Sequence, residues 1–264
     1  MKKQSVALAV LVLLTGCFQI DNAIVLKNDL SGTADFHLGI DMEPMVVIMT
    51  QMGRAMEGKT GPVPPEEMKK AKEEFKKSAK KNAAKQDGGG EKPKKEDIEK
   101  ELPPGVKLLS FDAKEHDFGV DTYFKYSFEK LNQLVGVKMP SAKSQDPTKK
   151  NVVDTPFEGL EVVEKGNTIT IRTKPQNPTE KVQEEAKEGG GPKMDPDTEK
   201  MMKDAFSKMR VSYRITAPFK VVSSNATRTE GQTLIWEYDM AKFEEMSKNK
   251  KKMDDAGVMV TYRR

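Results

Sequence analysis

Two stretches rich in lysine and glutamate, each centred on three consecutive glycines, divide the chain and set the terms on which the rest can fold. The first covers residues 58–100 around Gly88-Gly89-Gly90, the second residues 179–200 around Gly189-Gly190-Gly191. Segments so poor in large apolar side chains cannot offset the entropy of ordering by burial. They read as charged inserts, largely disordered or carrying a solvated helix where Glu and Lys recur at helical spacing from Pro65 to Ala84. The core is therefore expected from three separated pieces, residues 17–57, 101–178 and 201–264. With 36% hydrophobic and 33% charged side chains among 264 residues, the apolar material suffices for roughly 150 to 180 folded residues, an ordinary size for one domain.

Residues 1–16 are read differently. Lys2 and Lys3 open a positive start, Val6 to Leu14 is apolar, and Leu14-Thr15-Gly16-Cys17 follows. That order is a secretory signal, and its apolar run is well short of the roughly 20 residues a membrane-spanning helix needs. The last four residues resemble the lipobox of bacterial lipoproteins, which implies cleavage between Gly16 and Cys17, diacylglycerol on the Cys17 thiol and an acylated amine. Cys17 is the sole cysteine, so no disulfide or cysteine-based metal cluster is available, and its acylation would leave a thiol-free chain suited to an oxidising compartment. Two or three acyl chains make detachment negligible, since each buried methylene contributes about 0.8 kcal/mol. The expected location is extracytoplasmic and lipid-anchored at the cell membrane. Phe18, where an aspartate would resemble the inner-membrane retention signal, favours the outer membrane in a Gram-negative cell.

Beyond Cys17, Ile20 to Lys27 and Thr33 to Asp41 read as strands joined by a turn from Asn28 to Gly32; Phe36, Leu38 and Ile40 alternate. Asp41 is placed to cap a helix with Pro44 in its first turn. Along it Met42, Met45, Met49, Met52 and Met56 share one face. Two readings follow, an apolar stripe packing on the sheet or a thioether site for Cu(I). Further strands are expected at Val106–Asp112, Gly119–Phe128, Phe157–Val163, Thr168–Thr173, Val211–Thr216, Phe219–Thr227, Gln232–Tyr238 and Val258–Tyr262, with a short helix from Asp197 bearing Met202, Phe206 and Met209. Antiparallel hairpins separated by helices make the fold class α+β.

The closing region holds the most specific pattern: Tyr213-Arg214-Ile215-Thr216-Ala217-Pro218, Val221-Val222, Ser224-Asn225-Ala226, Gly231, Leu234, Trp236 and Glu237. With the lipobox and the turn ending Ser31-Gly32, it resembles LppM-type bacterial lipoproteins. That resemblance implies an α+β domain of antiparallel strands and helices at the membrane and an envelope or lipid-related role. Trp236, the sole tryptophan, shares one side of its strand with Leu234 and Tyr238 and reads as a core residue, with ligand contact as the alternative that the resemblance offers.

The sequence holds no GxSxG elbow, Walker loop, HExxH helix or dinucleotide fingerprint. Only His37 and His116 supply imidazole; His37 falls in the polar phase of a strand and His116 in a turn. No cofactor is implied. Lysines and arginines exceed acids by four, and removal of residues 1–16 halves that surplus, so no global field draws nucleic acid. The lysine runs lack aromatics for base stacking. The expectation is a non-enzymatic envelope lipoprotein whose domain binds a lipid or protein partner. An envelope-glycan hydrolase using a carboxylate pair and a methionine-based Cu(I)-binding protein are the alternatives.

Overall fold

A computed structural model describes residues 17–59, 61–86, 95–138, 157, 159–173, 200, 209–247 and 257–264. Residues 1–16, nearly all of the second tract, and Met202 and Phe206 lie outside the described residues. The fold is α+β, with strands in two sheets. A seven-stranded sheet has the order β3-β4-β2-β1-β7-β10-β9, and a four-stranded sheet the order β5-β6-β11-β8.

The first hairpin pairs β1 (Cys17–Leu26) with β2 (Gly32–Asp41). Its turn is closed by Asp29, whose Oδ1 accepts from the Ser31 amide at 3.0 Å and from the Ser31 hydroxyl at 2.7 Å. A second hairpin, β3 (Val106–His116) with β4 (Gly119–Phe128), adds to β2. Glycine is required where β4 meets β2, since a Cβ on Gly119 would lie 1.7 Å from the Ile40 carbonyl oxygen. On its other side β1 pairs with β7 (Arg210–Thr216), and this pairing is parallel. The sequence suggested only antiparallel hairpins; a parallel partner leaves no local signal, because its connection is long. Then β10 (Thr233–Asp239) and the short β9 (Arg228–Glu230) complete the sheet. In the second sheet β5 (Glu161–Lys165) and β6 (Thr168–Arg172) form the expected hairpin, with β5 beginning and ending later than the apolar run implied and β6 beginning where it was expected. Here β11 (Met259–Arg263) pairs with β6 and with β8 (Lys220–Ser224).

Alternation decides which face is buried. Ile20, Ile24, Phe36, Phe124, Tyr126, Val211, Ile215, Leu234 and Trp236 from the large sheet join Ile169, Ile171, Val260 and Tyr262 from the small one in a single core cluster. Around β3 and β4 that core is completed by a 3-10 helix, Leu131–Gly136, through Leu131 and Leu134.

The helices differ from expectation in an instructive way. Helix α1 spans Glu43–Met56 with Met42 at its N-cap, while Asp41, one residue earlier, accepts the Glu43 amide at 2.9 Å. Its methionine face is not uniformly buried: Met45 is 3% exposed, but Met49 is 45% and Met56 81% exposed. The helix packs beside α2 (Pro65–Gln86), and its N-cap Met42 donates its amide to the Phe118 carbonyl in the β3–β4 turn at 2.8 Å. Within the first tract, α3 (Lys95–Lys100) plants Ile98 in the core at 3% exposure. A lone isoleucine among Lys, Glu and Asp carries no periodicity, which is why composition alone marks the stretch as solvated.

Truncation of Ile98 to Ala should therefore cost about 2 to 4 kcal/mol, the range for a large buried aliphatic. Urea unfolding would show it. A loss below about 0.5 kcal/mol, as for surface positions, would place Ile98 outside the core.

Candidate functional site

The sheet's orientation begins with Cys17. It is the first residue of β1 and stands opposite Asp41, the last residue of β2, with Asp41 in turn opposite Gly119. The ladder begins at the cysteine itself, ahead of the Ile20 start that the alternation implied. The same end of the sheet carries the β3–β4 turn with His116 and Phe118, the start of α1, Arg210 and the entry to α4 (Met240–Ser247).

On the sheet's outer face, strand register assembles a polar cluster from four chain segments. Asp21 lies opposite His37 on β2 and Ser212 on β7, and His37 lies opposite Tyr123 on β4. The His37 ring is held on both sides, Nδ1 3.1 Å from Asp21 Oδ2 and Nε2 2.9 Å from Asp121 Oδ1. Tyr123 stacks on it with centroids 4.3 Å apart and planes 4° from parallel. Ser212 donates its hydroxyl to Asp21 Oδ1, and Gln19 donates to Oδ2 at 2.6 Å. Burial pushes the Asp21 carboxyl up, but the hydrogen bonds from Ser212, His37 and Gln19, with the imidazole's charge, hold it below the usual carboxylate range.

Serine, histidine and aspartate together invite comparison with a nucleophilic triad, and the connectivity refutes it. In a triad the hydroxyl bonds the imidazole and the carboxylate orients the far nitrogen. Here Ser212 bonds the carboxylate, and neither imidazole nitrogen is free to take its proton. Both contacts on the ring are satisfied only when both nitrogens carry hydrogen. The arrangement is a clasp across β7, β1, β2 and β4. His37 was legible as an outward-facing strand residue; its partners at 21 and 121 become visible only with register. His116 lies at the end of β3, exposed. Among the described residues, no three His, Cys, Asp or Glu side chains are placed to hold a metal ion.

Trp236 sits in the core, fully buried, rather than on a face open to a ligand. Its Nε1 donates to Asn225 Oδ1 at 2.7 Å. That oxygen also accepts the Met259 amide at 2.8 Å, and Asn225 Nδ2 donates to the Gly257 carbonyl at 2.7 Å. The Asn225-Ala226 step thus ties β10 of one sheet to β11 of the other. Nearby, Asn22 is 1% exposed and neither of its amide atoms has a hydrogen-bond partner. It lines a space of about 10 Å³ with Ile24, Leu160, Thr173 and Val258. That volume suits one water and not a lipid chain. A larger, open groove of about 470 Å³ lies where α2 meets the β3–β4 turn, lined by Met68, Lys69, Lys72, Lys76 and Phe118.

No family model matches the chain, and no curated protein does. Among solved structures it is similar to the folded domain of LppM from Mycobacterium tuberculosis, at 10% identity and a TM-score of 0.37, with 94% of this chain and 91% of that one covered. This is a weak likeness at the level of the fold.

Two outcomes follow from these geometries. Trp236→Ala should cost about 3 to 5 kcal/mol and Asn225→Ala about 1 to 3, the latter by stranding a buried indole N–H. Blue-shifted, iodide-resistant emission should accompany the wild type; red-shifted, readily quenched emission would contradict the core position. Secondly, the contribution of Asp21 is present above its unfolded value near pH 3.9 and is lost as pH falls through the depressed folded value. Asp21→Asn should accordingly narrow the difference in urea midpoint between pH 6 and pH 3. An unchanged difference would show that the clasp does not bear on folding.

Proposed function

We propose that the chain is a lipid-anchored protein of the bacterial cell envelope, extracytoplasmic, whose α+β domain binds a lipid or protein partner at the membrane surface without catalysing a reaction. One observation carries the reading: Leu14-Thr15-Gly16-Cys17 ends at the residue where β1 begins. A peptidase that cuts before Cys17 would release a chain whose first residue is already in the sheet. The acyl group would then hold the domain against the bilayer with no spacer. Among the described residues, no helix is long and apolar enough to cross a membrane. Phe18 favours the outer membrane over inner-membrane retention in a Gram-negative host.

The non-catalytic part rests on connectivity. The cluster most like a catalytic constellation uses both imidazole nitrogens to hold strands together and turns its serine hydroxyl toward a carboxylate. Its two aspartates are separated by the ring they share, not by a cleft that could seat a glycosidic bond.

Labelled palmitate should enter the wild-type chain in a bacterial host and be absent from Cys17→Ser, and intact mass should place the modification on a chain starting at Cys17. A mature chain with an unmodified Cys17 thiol would end the proposal.

A further inference from the structure

The outer face of the four-stranded sheet takes no part in the contacts described above. Its inner phase is fixed by Ile169 and Ile171 on β6 and by Val260 and Tyr262 on β11, all at 1% exposure or less. The residues between them therefore point the other way, and strand register sets them in ranks across the sheet. One rank runs Lys165, Thr168, Arg263, Lys220 over β5, β6, β11 and β8. The next runs Val163, Thr170, Thr261, Ser223, with the Thr170 and Thr261 hydroxyls 3.1 Å apart. A third sets Glu161 beside Arg172 and Arg172 beside Met259.

Charge on this face is one-sided. Lys165, Arg172, Lys220 and Arg263 are exposed, and none of them forms an ion pair among the described residues. Against these four cations the three ranks hold one carboxylate, Glu161. Glu164, on the other phase of β5, is engaged by Arg264 at 2.6 Å. Arg263 stands directly opposite Lys220, and like charges in that position cost stability. The outer face of the large sheet is arranged otherwise, with Asp35 opposite Lys125 and paired to it at 3.2 Å. Solvation alone does not call for two cations in register; an anion bound over them would offset the cost.

The chemistry of the face selects among polyanions. Tyr262, the one aromatic residue of these four strands, is buried on the inner phase, so the face lacks the stacking platform that single-stranded nucleic acid uses. Its apolar members, Val163 and Met259, stand on strands that are not neighbours and in different ranks, and they make no continuous patch for acyl chains. What remains is a rank of hydroxyls, able to donate and accept, bordered by arginine and lysine one alternate residue away, about 7 Å along the strands. A sugar chain that carries carboxylate, phosphate or sulfate groups has both kinds of partner for it.

We propose that the outer face of the β5–β6–β11–β8 sheet binds a polyanionic glycan, with Lys165, Arg172, Lys220 and Arg263 meeting its charged groups and Thr170, Thr261 and Ser223 its hydroxyls. This surface makes no use of Cys17 and stands beyond the anchor reading.

The full chain from an acylating host, held in neutral detergent, would be titrated into fluorescein-labelled dextran sulfate and followed by fluorescence anisotropy, with labelled dextran as the uncharged form of the same backbone. Dextran sulfate should bind, more weakly as salt rises, and dextran should not. Lys220→Gln with Arg263→Gln should weaken binding about tenfold. Lys107→Gln with Lys125→Gln removes the same charge from the large sheet and should leave binding unchanged. Thr170→Val with Thr261→Val should weaken binding of dextran sulfate but not of inorganic polyphosphate, which has no hydroxyls along its chain. Absence of dextran sulfate binding, equal losses from the two charge pairs, or an unaltered affinity in the threonine pair would each overturn the proposal. Displacement of dextran sulfate at lower concentration by dihexanoylphosphatidylglycerol or by single-stranded DNA than by unlabelled polygalacturonate would also overturn it, assigning the face to lipid or to nucleic acid. Intact mass reads acylation of Cys17 separately, whichever way the titrations fall.

Discussion

Everything in the large sheet hangs on the two ladders of β1. On one side Cys17 to Leu26 runs antiparallel to Asp41 through Gly32; on the other, Gln19 to Val25 runs parallel to Arg210 through Thr216. The first ladder closes through a tight turn. The second joins residues almost two hundred positions apart, and its crossover contains β2 to β6 and both charged tracts. Loop-closure entropy grows slowly with length, so this topology is tolerable at equilibrium, but a contact of that separation forms late and slowly. Because Cys17 opens a central strand, a pull on it would load two ladders along their length rather than peel an edge.

The outer face shows how a solvated sheet is held together without apolar cover. Asp35 pairs with Lys125 at 3.2 Å, and Glu237 accepts from Arg210 at 2.8 Å and from Arg228 at 3.3 Å. Exposed pairs of this kind are individually worth little. The His37 clasp differs because Asp21 and His37 are partly buried and each is bonded to more than one neighbour. It sits across the β2–β1–β7 junction, where the local hairpin meets the strand that arrives late. At the β3 edge, Lys107, Asp112 and Lys114 are exposed, charges that discourage pairing with another chain.

How much of this was legible depended on whether a signal was local. Phe36 and its neighbours in β2, and Phe124, Tyr126 and Phe128 in β4, alternate strongly enough to mark their strands, and β4 has the bounds its pattern implied. Alternation in β10 marked Trp236 as an inward residue, although the burial of Ile235 on the other phase, at 1% exposure, had no local sign. The methionine spacing revealed a helix face but not its cover, since α2 reaches only part of it. Ile98 was hidden by its charged surroundings, and the partners of His37 by the need to know register on four strands. The parallel β1–β7 contact belongs to the same class: it is a property of topology, and a single sequence records topology only through the hairpins it can close nearby.

The two ends of the sheet are finished by different materials, and the difference gives the domain a direction. At the end away from Cys17, Ile98, Leu131 and Leu134 close the core over Val106 and Phe128, so apolar surface is sealed by chain that returns from the first tract and from β4. At the Cys17 end the cover is a helical pair whose buried residues, Met45, Val46 and Ile48, lie outside the main cluster. That pair leaves methionine exposed further out. The domain is thus asymmetric along its strands, sealed at the far end by chain that returns to the core and carrying at the Cys17 end a helical pair whose apolar side chains are partly open.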